Sequence, residues 1–255
     1  TPKPSSAASD VYKRQPEIEA AVHELVNCIE GLQSGFNGKV FSPDEAVKYA
    51  INSQKSPVVI ADTQDNPGAG GNSDTLGMLR ALIKNEAQSA LIGLIYDPAA
   101  ARMAHEAGLG AEIELKLGAL SQWENESPLE TRFLVQALGD GNFTGTGPMW
   151  GGAKMQLGLM AALRIGDIEI LISSKKMQFA DKSISRHLGI EPADHKIIVV
   201  KSSVHFRADF DDIAGETIVA AAPGPNAADN RDLPYQNIRP SLSLVPSGAS
   251  VGNGA

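Results

Sequence analysis

Residues 57–74, PVVIADTQDNPGAGGNSD, carry the strongest indication of the fold. The first five are apolar without alternation, which is typical of a strand buried on both faces of a parallel sheet. A glycine-rich loop follows, and residues 74–83 have the apolar spacing of a helix. A second apolar run at 89–96, SALIGLIY, leads to Asp97-Pro98, a common helix start. Strand, helix, strand and helix in this order predict a parallel βαβ core.

The segments on either side extend this α/β pattern. Ser42-Pro43-Asp44-Glu45 has the N-cap, proline and acidic first turn of a helix that we expect to reach residue 51. Further along the chain, residues 197–200 read as a buried strand, residues 204–212 as a helix and residues 217–221 as a last strand.

The region between residues 111 and 173 has a different character. Apolar and polar residues alternate at 111–117 and 131–137, which is typical of half-buried strands. Residues 157–163 and 168–173 flank the turn Arg-Ile-Gly-Asp and predict a hairpin. The sequence therefore predicts an α/β fold whose mixed sheet combines βαβ units with an antiparallel insertion.

Composition excludes several classes of partner. The chain has 255 residues, 42% of them hydrophobic, and a formal net charge of −8. This charge, without any basic run, argues against nucleic acid and against an anionic membrane surface. The single cysteine, Cys28, excludes an internal disulfide and fits a reducing compartment, so we expect a cytoplasmic protein.

The two ends differ from the middle of the chain. Residues 1–15 lack a hydrophobic period, and we expect a non-native or disordered tail. Residues 16–41 have the pattern of a helix or linker, which we expect to follow a missing N-terminal domain. The main domain is predicted to span residues 42–240, and the Ser-, Gly- and Ala-rich residues 241–255 to form a disordered tail. On this interpretation the chain is the C-terminal part of a longer protein.

The loop at residues 62–74 is the first candidate site. It lies between a predicted buried strand and a helix, where open α/β sheets bind ligands. Its glycines allow backbone N–H groups to converge near the positive end of the next helix, which suits an anion or a polarised carbonyl. A tight connection without function is the alternative. Asp65 is the candidate catalytic residue, and the candidate binding residues are Asp62, Asn66, Gly68, Gly70, Gly71 and Asn72.

Dinucleotide binding is a competing interpretation of the same loop. Residues 68–73, GAGGNS, approach the pattern G-x-G-x-x-G, and Asp97 ends the next strand where a ribose-binding acid would lie. Against it, Ser73 replaces the third glycine, and Asp62 and Asp65 would repel a pyrophosphate. A stand-alone nucleotide- or anion-binding domain that uses residues 68–73 therefore remains the alternative function.

The second candidate site is KSSVHFRADF, residues 201–210, after a predicted buried strand. His205 and Asp209 are four residues apart and would share one face of a helix, as an acid/base pair does. A capped helix with a solvent-facing pair is the alternative. His205 is the candidate catalytic residue here, and the candidate substrate-binding residues are Ser202, Ser203 and Arg207, the last as a bidentate donor to a carboxylate.

Two other segments could contribute to the same cleft. The loop GTGPMWGG, residues 145–152, presents Met149 and Trp150, which could line a pocket or cover a sheet edge. Residues 175–178, KKMQ, end a predicted strand and could face the cleft, although a solvated strand end is the commoner explanation. The sequence has no H-E-x-x-H and no G-x-S-x-G, so these motifs suggest neither a zincin nor a serine hydrolase.

Five blocks of the chain, in unbroken order over about residues 42–240, resemble the C-terminal domain of the microcystinase C (MlrC) family. The blocks are VVIADTQDNPGAGGNSDT, LIYDPAAARMAHEAGLGA, GPMWGG, KSSVHFRADF, and AAPGP with DLP. Because they are separate and correctly ordered, they are more specific than any single motif.

The resemblance implies a hydrolase, a zinc-dependent peptidase or amidohydrolase, whose metal-binding His and Asp residues lie in the missing N-terminal domain. It implies no metal ligand in this chain, which would contribute groups that face a peptide or amide substrate. Degradation of microcystin-type peptides is known for a few members of the family, so the resemblance does not specify the substrate here.

Overall fold

The computed structural model describes residues 15–36, 38–239, 242 and 244. It divides into two compact units, one of Lys39–Ala228 and one of Thr1–Gly38 with Asp229–Ala255. The tails predicted at residues 1–15 and 241–255 lie almost entirely outside the described residues. The domain boundaries predicted from the sequence therefore stay predictions.

Lys39–Ala228 contains a nine-stranded sheet. The strands of the unit are β1 (Val40–Phe41), β2 (Val58–Asp62), β3 (Ala90–Tyr96), β4 (Glu112–Leu117), β5 (Leu129–Gly139), β6 (Asn142–Thr144), β7 (Lys154–Gln156), β8 (Met160–Ile165), β9 (Ile168–Ser173), β10 (Ile197–Val200) and β11 (Glu216–Ala220). The sheet order is β1-β11-β2-β10-β3-β9-β8-β5-β4, and β6 pairs with β7 in a separate small sheet.

The half of the sheet from β1 to β9 is parallel, and the half from β9 to β4 is antiparallel. All residues of β2 and β10 are buried, as expected for strands covered on both faces. The hairpin predicted around the turn Arg-Ile-Gly-Asp is β8 with β9. The α/β fold with a mixed sheet is thereby confirmed.

Helices cover both faces of the sheet. The helices of this unit are α2 (Pro43–Asn52), α3 (Gly77–Lys84), α4 (Pro98–Ala107), α5 (Ser183–Arg186) and α6 (Arg207–Phe210). The first three pack their apolar residues, such as Val47, Leu79 and Ala101, on one face of the sheet. The short helices α5 and α6 contribute Ile184 and Phe210 to a second apolar cluster on the other face. The central strands are consequently shielded from water on both sides.

Local hydrogen bonds explain where these helices begin. Ser42 forms a capping box with Glu45 at the start of α2, and the carboxylate of Asp97 accepts from the backbone N–H of Ala100 at the start of α4. Both helix starts were predicted. The start of α3 at residue 74 was predicted wrongly, because the backbone N–H of Thr75 donates to Asp65 and the helix begins at Gly77.

The helix predicted over residues 204–212 is also wrong in length. Only Arg207–Phe210 is helical, and the preceding residues form turns. Ser202 and Ser203 are held at the sheet edge by side-chain hydrogen bonds, and the chain turns back there to bury Phe206 and Phe210.

The other unit contains α1 (Gln15–Gly31), followed by a 3-10 turn, Gln33–Phe36. Within the described residues no side chain of α1 is buried, and the apolar Val22, Leu25 and Ile29 are all exposed. Among the described helices, none is long and apolar enough to cross a membrane.

Candidate functional site

The loops of both candidate sites meet at the carboxyl edge of the parallel half of the sheet. Strand β2 lies between β11 and β10, and all three run in the same direction. The loop from residue 62 therefore emerges beside Lys201, which follows β10, and beside Ala222, which follows β11. This is the edge at which α/β sheets bind ligands.

The inner layer of this edge is a buried charge cluster that consists of Asp62, Asp65, Thr75 and Lys201. Each of these residues is at most 1% exposed. Lys201 Nζ lies 3.0 Å from Asp62 Oδ2 and 3.0 Å from Asp65 Oδ2, and it donates to Thr75 Oγ1 at 3.3 Å. The ammonium group thus bridges the end of β2 and the loop that follows it.

The carboxylate of Asp65 accepts hydrogen bonds from the backbone of its own loop. Its Oδ1 accepts from the backbone N–H groups of Asn72 and Ser73, both at 2.8 Å, and its Oδ2 accepts from the N–H and hydroxyl of Thr75 at 2.8 and 3.0 Å. Gly71 packs so closely that a β-carbon there would lie 2.7 Å from the backbone of Asn66. Backbone N–H groups do converge in this loop, as the sequence predicted, but the anion that they bind is the carboxylate of Asp65.

The charges of the cluster shift one another's pKa values. Burial would raise the pKa of Asp65, but Lys201 and the backbone N–H groups of Thr75 and Ser73 together hold it below its usual value. Burial would lower the pKa of Lys201, but Asp62 and Asp65 raise it above its usual value. These two groups therefore form a stable ion pair.

Within the buried charge cluster, the Asp62 carboxylate is the group whose hydrogen bonds are least complete. Burial raises its pKa, although Lys201 opposes this effect. Its Oδ1 is buried and forms no hydrogen bond within the described residues, although the backbone N–H of Ala222 favours the ionised form of the carboxyl group. Of the two carboxylates in the cluster, Asp62 therefore takes up a proton more readily than Asp65.

The outer layer is a rim cluster of polar groups, joined by contacts between side chains and backbone. It consists of Thr63, Asn66, Gly68, Gln178, Ser203 and His205. Thr63 Oγ1 and Ser203 Oγ lie 2.6 Å apart, and Asn66 Nδ2 donates to Ser203 Oγ at 3.1 Å. Asn66 Oδ1 accepts from the backbone N–H of Gly68 at 2.8 Å. These bonds connect the first candidate site to the second.

Gln178 joins His205 and Ser202 within this edge of the sheet. Its Oε1 accepts from Ser202 Oγ at 2.9 Å and lies 3.2 Å from His205 Nδ1. Its amide nitrogen lies against Gly68, where a β-carbon would overlap it. Beside it, Lys176 Nζ donates to Asn72 Oδ1 at 2.7 Å. The segment 175–178, for which the sequence left two interpretations open, thus contacts both candidate sites.

The structure brings most of the predicted site residues together, but in two layers. Asp62, Asp65 and Ser202 are fully buried, whereas Gly68, Gly70 and His205 are exposed. Asn66 is nearly buried, Asn72 and Ser203 are half-buried, and Gly71 is buried. A catalytic role for Asp65 would need an accessible oxygen, and both of its oxygens are occupied in the interior.

The pairing predicted between His205 and Asp209 is wrong. His205 precedes α6 and contacts Gln178, whereas Asp209 Oδ2 accepts from the backbone N–H of Lys182 at 2.6 Å. Arg207 is partly exposed and lies 3.9 Å from Asp211, a loose pair.

The positive end of α3 does not point at a free anion site, as the sequence suggested. The backbone N–H of Leu76, its N-cap, donates to Glu126 Oε2 at 3.2 Å. The N–H groups of Asn72, Ser73 and Thr75 donate to Asp65, so four backbone donors that a pyrophosphate at this loop could use are already occupied. The geometry therefore argues against the nucleotide-binding alternative.

A second buried aspartate binds the loop GTGPMWGG. Asp181 is buried, and its Oδ2 accepts from the backbone N–H groups of Thr146 at 3.1 Å and Gly147 at 2.8 Å. Trp150 packs against the same apolar cluster as Phe206, while Met149 is 43% exposed. The loop therefore covers the apolar face of the sheet with Trp150 and leaves Met149 at the surface.

The described residues do not fit a zinc site. They contain no group of three or more His, Cys, Asp or Glu side chains placed to hold a metal ion. The two acids of the buried charge cluster, Asp62 and Asp65, already share the ammonium of Lys201. A cation in this position would have to displace that ammonium group.

Lys201, Thr63 and Thr75 were not named as site residues from the sequence, and Gln178 was named only within the segment 175–178, which could face the cleft. One sequence signal could have indicated Lys201, since a lysine directly after the buried strand IIVV needs a buried acid as its partner. Thr63, Thr75 and Gln178 have no comparable signal, because their contacts are made across more than 20 residues of sequence or depend on loop geometry.

Comparison with known proteins identifies the class. Residues 60–237 match the family model described as MlrC C-terminus, and the chain belongs to this family. Over 186 residues it is 31% identical to Microcystinase C from Sphingomonas sp., an alignment that covers 73% of this chain and 36% of that protein. The resemblance seen in the sequence blocks is thereby confirmed, and the chain spans about a third of the length of this curated relative.

A solved structure shows the same fold. A crystal structure from Mesorhizobium sp. BNC1, of a protein provisionally named a metallopeptidase, matches with a TM-score of 0.70 at 24% sequence identity. The match covers 85% of this chain and 43% of that chain.

Proposed function

We propose that this chain is the C-terminal domain of a zinc-dependent peptidase or amidohydrolase of the microcystinase C type. The observation that carries the proposal is the family membership over residues 60–237. The names of the curated relative and of the solved structure, a microcystinase and a provisional metallopeptidase, support the same chemistry. The zinc would be held by an N-terminal domain, where it would polarise the substrate carbonyl and activate water.

In this proposal the two layers of the carboxyl edge have different roles. The buried charge cluster fixes the loop at residues 62–75 and exposes no oxygen to a substrate. The rim cluster faces the peptide or amide and provides His205, Gln178 and Ser203 as hydrogen-bonding groups. Arg207, whose pairing with the exposed Asp211 is weak, is free to bind a substrate carboxylate. The catalytic role predicted for Asp65 is thus replaced by a structural one, and that for His205 is kept.

Expression of the complete reading frame that encodes this chain would test the proposal. We expect hydrolysis of linear peptides that a chelator abolishes and that added zinc restores. His205→Gln should lower kcat/KM by about a hundredfold, the usual contribution of a positioned acid/base group. The matched control is His23→Gln, which removes an exposed imidazole from α1.

Absence of metal-dependent hydrolysis would contradict the proposed class. Equal losses in the two variants would contradict the assignment of the rim cluster.

A cytoplasmic location is a further part of the proposal, for which the single Cys28 is the support. Microcystin-type peptides are one substrate class to include in the assay, because the curated relative carries that name.

A further inference from the structure

Gln178 occupies the centre of the rim cluster. The residue is 5% exposed, so nearly all of its surface is removed from water. Its Oε1 has two neighbours, Ser202 Oγ at 2.9 Å and His205 Nδ1 at 3.2 Å. Its Nε2 lies against Gly68 and forms no hydrogen bond with any part of the chain that the structure describes. This amide nitrogen is not among the fully buried unpaired atoms of the described residues, so it can donate to water or to a molecule bound at the rim cluster.

The contact between Gln178 and His205 determines the position of the imidazole proton. An amide oxygen can only accept, so Nδ1 of His205 must donate to Oε1 and carry the proton. In the neutral ring Nε2 of His205 then has a free lone pair. Because His205 is exposed, this nitrogen is available to a bound molecule.

We propose that Gln178 is a positioning residue for His205. Its Oε1 holds the proton on Nδ1, so that the edge presents one acceptor, Nε2 of His205, and one donor, Nε2 of Gln178. A donor next to an acceptor complements the C=O and N–H groups of a peptide backbone. The identity of the ligand as a peptide rests on the proposed function, whereas the control of the His205 tautomer does not.

Gly68 offers a way to displace Gln178 without changing it. A β-carbon at residue 68 would overlap the amide nitrogen of Gln178, the mobile end of a long side chain. The backbone of Gly68 is not in the left-handed region, so alanine is compatible with its conformation. Gly68→Ala should therefore move the amide while Gln178 and His205 stay chemically intact. Ala69→Ser, at the exposed neighbouring position, is the matched control.

Nitrogen-15 NMR of histidine-labelled protein would test the tautomer in the 255-residue chain, with the signals of His205 assigned by their loss in His205→Gln. We expect Nδ1 to carry the proton in the wild type, in Ala69→Ser and in Gln178→Glu, which keeps the acceptor. Gln178→Met and Gly68→Ala should give a mixture of both tautomers. Gly68→Ala should have no further effect once residue 178 is Met.

Two results would overturn the proposal. One is a proton on Nε2 in the wild type, which would mean that the amide of Gln178 is rotated by half a turn. The other is an unchanged tautomer in Gly68→Ala and Gln178→Met. Thermal unfolding of each variant shows whether it is folded, and Gly68→Ala against Ala69→Ser decides the question even if Gln178→Met does not fold.

Turnover by the complete polypeptide separates this inference from the proposed function. Gln178→Met should lower kcat by about tenfold, as is usual when the residue that orients a functional histidine is lost. Gln178→Glu should restore kcat and raise KM, because it keeps the acceptor and loses the donor. Correct tautomers without hydrolysis would contradict the proposed function alone. Hydrolysis with no change of kcat or KM in either variant would contradict the role of Gln178 alone.

Discussion

Two loops of this protein are each held by a buried aspartate, and they differ in how the charge is balanced. Asp65 accepts from the backbone of its own loop and also receives the ammonium of Lys201. Asp181 accepts from the backbone of a distant loop, at Gly147, and no ammonium contacts it in the described structure. The neighbouring Lys182 turns instead to Asp212.

A buried aspartate thus holds a loop in place in two different ways. The loop at residues 62–75 is fixed by an ion pair inside the protein, and its position therefore depends on the core. The loop at residues 145–152 is fixed by hydrogen bonds to Asp181 and by the packing of Trp150, and no ion pair of Asp181 supports it among the described residues. We infer that the first loop is part of the scaffold of the carboxyl edge, and that the second is an attached cover.

Removal of Lys201 should have the largest effect on this comparison. Lys201→Met leaves Asp62 and Asp65 without a counter-ion, and loss of one partner from a buried ion pair costs about 3–5 kcal/mol. Lys182→Met is the matched control, because it removes a lysine that is also buried, 5% exposed against 0% for Lys201, but whose closest partner, Asp212, can be hydrated. Urea unfolding should show a much smaller loss for Lys182→Met.

A variant that does not fold would still be informative through a second substitution. Asp62→Asn removes one of the two uncompensated carboxylates, so Lys201→Met with Asp62→Asn should be more stable than Lys201→Met alone. If the double variant is the less stable of the two, the charges are not the cause of the loss.

Substitution of Asp65 should lower the free energy of unfolding more than substitution of Asp181, because only Asp65 has an ion-pair partner within the described residues. Asp65→Asn loses acceptors for buried N–H groups and the ion pair with Lys201, for which we expect a loss of about 3 kcal/mol in the free energy of unfolding. Asp181→Asn loses hydrogen bonds only and should cost about 1–2 kcal/mol. Urea midpoints of the two variants measure this difference, and equal losses would remove the distinction between the loops.

A pair at the opposite edge of the sheet should show the smallest effect, and one that depends on pH. His195 Nε2 lies 3.1 Å from Glu169 Oε2. Burial would lower the pKa of His195, but Glu169 raises it above the usual value of 6.5. The stability that this pair provides is therefore complete between pH 4.5, the usual pKa of a glutamate such as Glu169, and pH 6.5, and it is lost as the pH rises through the higher pKa of His195 in the folded protein.

Unfolding at pH values on either side of 6.5, for the wild type and for Glu169→Gln, measures this contribution. The difference between the two proteins should shrink as the pH rises through that range. The ion pair of Lys201 with Asp65 should show no such change near neutral pH, since the pKa of Lys201 is raised above 10.5 and that of Asp65 is lowered below 3.8. A constant difference for Glu169→Gln would contradict the assigned ion pair.

Much of the fold could be predicted from local patterns. The runs PVVIA and SALIGLIY are apolar on both faces and became β2 and β3, and the capped starts at Ser42 and Asp97 became helices. The prediction failed where long-range bonds overrode helical spacing. Thr75 is drawn to Asp65 and Ser202 to Gln178, and both neighbouring helices are shorter than their sequences suggest.

The site could be predicted by location but not by role. Both candidate segments follow central parallel strands, so their meeting at one edge follows from the topology. The sequence could not show that Asp65 turns inward or that His205 turns away from Asp209, because both outcomes depend on partners remote in the chain. Lys201 lies 136 residues from Asp65, and Gln178 lies 27 residues from His205.

The most direct test of this account is a comparison of Asp65→Asn and His205→Gln in the complete polypeptide, with unfolding free energy and kcat/KM measured for both. We expect Asp65→Asn to lose stability, and to recover most of its turnover at temperatures where it remains folded. We expect His205→Gln to keep wild-type stability and to lose turnover. An Asp65→Asn variant that is as stable as the wild type but inactive would contradict the account.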